Sequence, residues 1–282
     1  MKKKLLMLGT AICALCLALT LASCGGDNGG SDNKSDANSG SEGGERTTFT
    51  VGFDQNFPPY GYLENGKHVG FDLDLAAEVA KRNGWEVEYR PIEWDAKDLE
   101  LKNGNIDCIW NGFTIESREN DYAFTDPYMD NTQVVVVKKD AGINSLADLE
   151  GKIVMAQADS AAWNLLVDEK GQKQLADTFD TLQSVPEYNS AFLELEGGMV
   201  DAVALDLPVA EFQISGKTDL FVILDEALST EHYGVGFRLD DTELRDTVQA
   251  TLKEMVADGF VEQVAEKYAD QGISYERWCL EA

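Results

Sequence analysis

Residues 70–89 read GFDLDLAAEVAKRNGWEVEY, and their reading decides the fold. Phe71, Leu75 and Val79 recur on one helical face, so the spacing predicts an amphipathic helix over 71–82, stopped by Asn83-Gly84. A strand at 85–89 follows it and a strand at 48–53 precedes it. A helical stretch around 95–103 then leads to a strand at 106–110, and 133–138 is a strongly β-branched strand. The alternation restarts with a strand at 152–156, helices over 160–170 and 189–196, and strands at 200–205, 220–224 and 234–238. Two helices, 242–258 and 260–269, are divided by Asp258-Gly259. Two similar α/β units, with connections near residues 132 and 233, predict a two-lobed, hinged protein.

Ahead of these units stands an export signal: Lys2, Lys3 and Lys4, an apolar run over 5–21, then Leu21-Ala22-Ser23-Cys24. The apolar run is too short, and polar sequence follows too directly, for a stable membrane span. The small residues before Cys24 match a lipobox, so Cys24 is expected to be acylated and to become the first residue of the mature chain. The alternative is a plain signal peptide with a chance cysteine. Residues 25–46 are almost wholly Gly, Ser, Asn, Asp and Glu and cannot bury a core, so a disordered tether is expected. Such a tether spans roughly 25 Å r.m.s..

The chain carries 51 Asp plus Glu against 23 Lys plus Arg, a formal charge of -28, and cleavage would remove three of those lysines. No basic stripe is visible, so nucleic acid is not an expected partner. Cys108 and Cys279 are the cysteines beyond the anchor; they could pair, or Cys108 could be a buried free thiol. No metal-type spacing exists, His68 and His232 are isolated, and neither metal nor cofactor is expected.

In so acidic a chain, a cation just past an apolar strand calls for a reason. Open α/β sheets bind ligands outside the carboxyl ends of their strands. Three features lie at such ends: Asn111-Gly112-Phe113-Thr114 with Arg118; Gln157-Ala158-Asp159-Ser160, which opens a helix; and Asp206. A guanidinium binds a carboxylate bidentately, a helix N-terminus offers N–H groups to the same anion, and a lone aspartate binds an ammonium. Together they match the head of a free amino acid. Taken singly, Arg118 could be a surface ion-pair partner, Ser160 an N-cap and Asp206 a cap beside Pro208.

From about Thr47 onward the sequence resembles the polar amino-acid substrate-binding proteins of bacterial ABC importers (family 3 extracellular solute-binding proteins). The resemblance rests on Val51-Gly52-Phe53-Asp54 with Phe57-Pro58-Pro59-Tyr60, Gly70-Phe71-Asp72-Leu73-Asp74, and Gly104-Asn105-Ile106-Asp107. It continues through Gly112-Phe113-Thr114-Ile115, Arg118, Phe124-Thr125-Asp126-Pro127-Tyr128, and Asp206-Leu207-Pro208-Val209-Ala210. Tyr233-Gly234-Val235-Gly236 and Ala257-Asp258-Gly259 complete it. It implies an α/β, two-lobed, periplasmic-binding-protein-like (flytrap) fold with two crossover hinge strands. Residues 1–23 are then the signal, 24–46 the lipidated cysteine and linker, 47–131 with 233–282 one lobe, and 132–232 the other. It further implies a lipid-anchored protein on the extracellular face that delivers a free amino acid to ABC permease subunits.

The same resemblance assigns the carboxylate clamp to Arg118 and head-group contacts to Thr114 and the nearby backbone, including Gly112. It gives the ammonium to Asp206 and the side-chain pocket to Asp54, Phe57 and Trp94, beside Asn111. Trp94 could equally be core. Two departures stand out. One residue fewer than usual separates Thr114 from Arg118, so a tightened turn is expected. Asp159 stands where a hydroxyl residue is common, uncomfortably near a carboxylate unless it points away, and it directly precedes Ser160. An enzyme of prephenate or arogenate dehydratase type is the alternative, with Asp54, Glu100 and Asp159 as candidate acids or bases. A receptor sensor domain is a third reading, against which the sequence up to Ala282 shows no span or signalling module. With Asp54 at the side-chain end and no second cation apparent, the expected ligand is polar neutral or basic rather than acidic or aliphatic.

Overall fold

A computed structural model describes residues 46–282. The export signal, Cys24 and the tether up to Glu45 lie outside the described residues. Arg46, expected to end the tether, is instead held by the folded chain. Its guanidinium lies 2.9 Å from Asp107 Oδ1 and 5.9 Å from the Trp85 ring.

The first lobe begins with β1 (Thr48–Phe53), a small antiparallel patch of β2 (Asn56–Phe57), β3 (Gly61–Glu64) and β4 (Lys67–Val69), and α1 (Phe71–Arg82). The face predicted for α1 is the one it buries, and the chain leaves it through Gly84 at φ 72°, a left-handed conformation that suits glycine. Next come β5 (Glu86–Pro91), α2 (Lys97–Lys102), β6 (Cys108–Ile109) and β7 (Ala123–Phe124). β8 (Met129–Lys138) then enters the second lobe, built from β9 (Ile153–Gln157), α3 (Ala161–Val167), α4 (Lys173–Ala176), β10 (Thr181–Val185) and α5 (Tyr188–Gly197). β11 (Ala202–Asp206), α6 (Leu207–Ile214) and β12 (Phe221–Ile223) complete it. β13 (Ser229–Tyr233) carries the chain back to β14 (Gly236–Phe237), α7 (Thr242–Ala257) and α8 (Phe260–Lys267).

The sheets show how the lobes are joined. The first has the order β5-β1-β6-β14-β7, so the returning strand β14 is stitched between β6 and β7. The second has the order β10-β9-β11-β8-β12. β8 serves two purposes along its length. Residues 133–137 pair with β11 inside the second sheet, whereas residues 129–133 pair antiparallel with β13. That two-stranded ribbon is the pair of crossover strands expected near 132 and 233. Its first-lobe end is fastened by bridges from Tyr233 to Thr114 and from Met129 to Trp278.

Val134 to Val137 are all buried, the even pair in one apolar core and the odd pair in another. A strand points successive side chains to opposite faces, so an unbroken β-branched run requires a sheet covered on both sides.

Several elements differ from expectation. The strand expected over 106–110 keeps a ladder only at Cys108 and Ile109. The helix expected over 160–170 stops at Val167, where Asp168 turns extended and its Oδ1 accepts the Lys170 N–H at 3.0 Å. That local bond competes with the next helical turn. α6, absent from the sequence reading, starts with proline in its first turn, where a missing N–H costs nothing. Cys108 is buried, Cys279 is exposed, and both are free thiols.

Candidate ligand-binding cleft

Between the lobes lies a small cavity walled by Phe57, Trp94, Asn111, Thr114, Arg118, Gln157, Ser160, Ala161 and Asp206. Of the nine residues singled out from sequence, seven are in this wall; Asp54 and Gly112 stand just behind it.

Each first-lobe residue is held by its local chain. Asn111 Oδ1 accepts the Asp54 N–H at 2.8 Å, and Asp54 Oδ1 accepts the Asn56 N–H at 2.8 Å, which locks the ends of β1 and β6 together. Gly112 has φ 57°, and a Cβ there would meet the rings of Tyr233 and Phe57 at 3.1 and 3.2 Å. Its N–H is committed to Asp72 Oδ2 at 2.7 Å, so it is a structural donor rather than a free one. The turn before Arg118 is tightened as the short spacing predicts. The Arg118 N–H donates to Ile115 at 2.9 Å, with Ser117 forced to φ 67°. The Arg118 side chain is nearly buried, its guanidinium 4.9 Å from the Phe113 ring centroid.

Opposite, Ser160 caps α3 by accepting the Trp163 N–H at 3.1 Å, which keeps its hydroxyl proton available. α3 has only seven residues, so the expected helix N-terminus contributes local groups at Ser160 and Ala161 rather than a long dipole. Asp206 ends β11 and stands at the N-cap position of α6, with no side-chain cap bond. Tyr233, Gln133 and Asn131 donate to its Oδ1 at 2.7, 2.7 and 2.9 Å. Burial pushes its carboxyl up, and those donors partly offset the shift.

The decisive feature is what these two charges lack. Arg118 donates to two backbone carbonyls, Thr114 at 3.2 Å and Asp159 at 3.3 Å. Among the described residues no carboxylate pairs with Arg118 and no cation pairs with Asp206. Buried opposite charges on facing walls, each short of a partner, call for a ligand with both signs.

Two residues were missed in the sequence. Lys97 lies at the start of a helix rich in charges and reads as solvent-facing, yet it is almost fully buried, 5.3 Å from the Trp94 ring. The expectation that no second cation stands near the pocket is therefore corrected. The signal was the Trp94-to-Lys97 spacing, which puts both side chains on one face. Lys97 is not spare, however, because it pairs with Asp159 from the other lobe. This is also how Asp159 avoids the cavity: at φ 56° it turns to Lys97 and to Asn164 Nδ2 at 3.2 Å. Glu231 is the other omission. It accepts from Thr114 Oγ1 at 2.8 Å, and burial beside Asp206 raises its carboxyl to about 7.

The lobes meet across the cleft. Gln157 Nε2 donates to Asp54 Oδ2 at 2.6 Å, Asn189 Nδ2 to Asn56 Oδ1 at 3.4 Å, and Arg118 and Lys97 both reach Asp159. This is a closed arrangement.

The chain matches the bacterial extracellular solute-binding proteins, family 3, over residues 49–271. It belongs to that family. It is 31% identical over 271 residues to the arginine-binding extracellular protein ArtP of Bacillus subtilis (strain 168), covering 95% of this chain and 98% of that one. It is 29% identical to the L-cystine-binding protein TcyA of the same organism, covering 97% and 100%. Its fold superimposes, with a TM-score of 0.76 and 30% identity, on a substrate-binding protein of an ABC uptake transporter from Streptococcus pneumoniae with bound histidine, covering 81% and 94%.

The Lys97–Asp159 pair makes a testable asymmetry. Asp159→Ala would strand a buried ammonium, whereas Lys97→Met removes the charge and keeps the stem packed on Trp94. Asp159→Ala should therefore weaken ligand binding by about 1–3 kcal/mol, and Lys97→Met by clearly less. Calorimetry on both variants checks this, and the reverse order would contradict the assignment.

Proposed function

We propose that this extracytoplasmic protein captures a polar neutral or basic amino acid by lobe closure and delivers it to the permease subunits of an ABC importer. The observation that carries the reading is the buried pair of partnerless opposite charges, Arg118 and Asp206, facing each other across one cavity. Residues 47–131 with 233–282, and 132–232, act as the two rigid lobes.

In this reading Arg118 clamps the ligand carboxylate, with the Ser160 hydroxyl as an added donor. Asp206 takes the ammonium. Thr114 already spends its hydroxyl proton on Glu231, so toward the ligand it is an acceptor and belongs with the ammonium. The ligand side chain runs past Phe57, Trp94 and Asn111 toward Asp54, which burial raises to about 6. Trp94 also walls an adjoining chamber with Asp54, Glu93 and Glu187, and among the described residues no cation lines that chamber. A cationic or amide side chain is favoured there, with its methylenes on the rings, and an acidic one is repelled. Arginine, lysine, histidine, glutamine and cystine are the candidates, in keeping with the arginine, cystine and histidine named for the similar proteins.

A dehydratase-type enzyme finds no support in the same cavity. Asp159 is ion-paired, and Glu100 accepts from Asn105 outside the cavity wall. Among the described residues no histidine lines the cavity.

The first test is a thermal-shift screen against the free amino acids, followed by calorimetry on variants. A ligand at 100 times its dissociation constant adds about 2.7 kcal/mol to stability. Arg118→Ala and Asp206→Ala should each cost about 2–5 kcal/mol of binding, the range for breaking a desolvated charge pair. A loss under about 0.5 kcal/mol, or tightest binding by glutamate or leucine, would overturn the reading.

The anchor belongs to the same proposal. Cys24 follows an export signal and precedes a tether-like segment, so the mature protein is acylated at Cys24 and held at the extracellular face of the membrane. Cys24→Ala should release it into the medium, and unchanged retention in the membrane fraction would refute the lipid anchor.

A further inference from the structure

Glu231 and Asp206 form a buried pair of carboxyls with a shared set of donors. The Asn131 amide donates to Asp206 Oδ1 at 2.9 Å and to Glu231 Oε1 at 2.8 Å. The Gln133 amide does the same at 2.7 and 2.8 Å. Both amides project from the crossover part of β8, and Glu231 lies on its partner strand β13. Thr114 adds a third donor to Glu231 Oε1, so that oxygen is saturated and a proton on Glu231 belongs on Oε2. Two ionised carboxylates cannot comfortably share two neutral amides in a dry site. The symmetry is broken at Asp206, which stands at the N-cap position of α6 without a side-chain cap bond, where the partial positive charge of the helix end favours the anion.

We propose that Glu231 is a positioning residue of the ammonium site: it carries the proton of this pair, leaving Asp206 ionised for the ligand and turning the lone pairs of Thr114 toward it. The inference rests on the amino-acid-binding reading above. The other charged and titratable groups near Glu231 are Tyr233, which donates to Asp206, and those of the outer cleft that Glu231 borders: Arg118, Glu116, Glu119, Asp168 and Lys170. His232, next along β13, faces outward to Glu116 at 2.6 Å and Asp130 at 3.6 Å. The outer cleft gives the Glu231 proton a route to water. Burial and the Asp206 charge favour the neutral form of Glu231, in agreement with the geometry.

The test has a ligand-free arm and a binding arm. Carboxyl-carbon NMR titration of the protein labelled at Glu and Asp should show Glu231 changing protonation near neutral pH, with Asp206 below it. In Glu231→Gln that neutral-range titration should vanish while the Asp206 midpoint stays where it was, because Asp206 loses its proton while Glu231 still holds its own. In the binding arm, Glu231→Ala unpairs Thr114 and both amides and should weaken binding about tenfold or more. Glu231→Gln, an isostere of the protonated acid, should recover most of that loss. Titration of Glu231 in the ordinary glutamate range, near about 4.3, would overturn the proposal. So would a Glu231→Gln variant as poor as Glu231→Ala. If no free amino acid binds the wild-type protein, the amino-acid reading fails, while the titration still decides whether Glu231 holds the proton.

Discussion

Desolvated charge governs this molecule. Arg118 is held in the first lobe and Asp206 in the second, each almost out of water, and neither has an ionic partner among the described residues. An isolated buried charge is tolerated only if something meets it or if the protein can open and hydrate it. A hinged pair of lobes allows both. In the function proposed above, the open cleft would let water solvate the guanidinium and the carboxylate, and in the closed one a zwitterion would replace that water and bridge the walls. The need to keep each charge fixed, yet free to be hydrated, accounts for the scaffold: strand ends to aim the groups, and a ribbon to let them separate.

The ribbon is more than a tether. Its strands carry Asn131, Gln133, Glu231 and Tyr233, all of which reach the cleft through Asp206 or Thr114. Hinge and recognition site are therefore one hydrogen-bonded unit. A ligand that favours the closed state does so by its differential contacts with the two walls, and part of one wall is the hinge itself. The Lys97–Asp159 pair is one of the bonds across the cleft, on the Trp94 side.

How much of this was legible in the sequence depends on the length scale of the cause. Local periodicity located α1, the β-branched strand within β8 and the paired α/β units, because those patterns are set within a few residues. Arg118, Thr114 and Asp206, which share the cavity wall, were legible as charged or hydroxyl residues at strand ends in an acidic chain, and the short Thr114-to-Arg118 spacing forecast the tight turn at Ser117. Lys97 and Glu231 were not. Lys97 is buried because the opposite lobe brings Asp159 to it, and no local rule contains that contact. Glu231 sits in Ser229–Tyr233, a strand so polar that its alternation is masked, although Glu231 and Tyr233 point inward while Thr230 and His232 point out. Asp159 shows the same lesson in reverse: a carboxylate that looked repulsive to the ligand is turned away by a left-handed backbone and a cation from the other lobe.

Small-angle scattering of the soluble domain, with and without a saturating amino acid chosen by thermal shift, tests most directly that one zwitterion draws Arg118 and Asp206 together. Closure predicts a smaller radius of gyration with ligand, and an Arg118→Ala variant that stays at the ligand-free value under the same conditions. Identical wild-type profiles with and without bound ligand would contradict it.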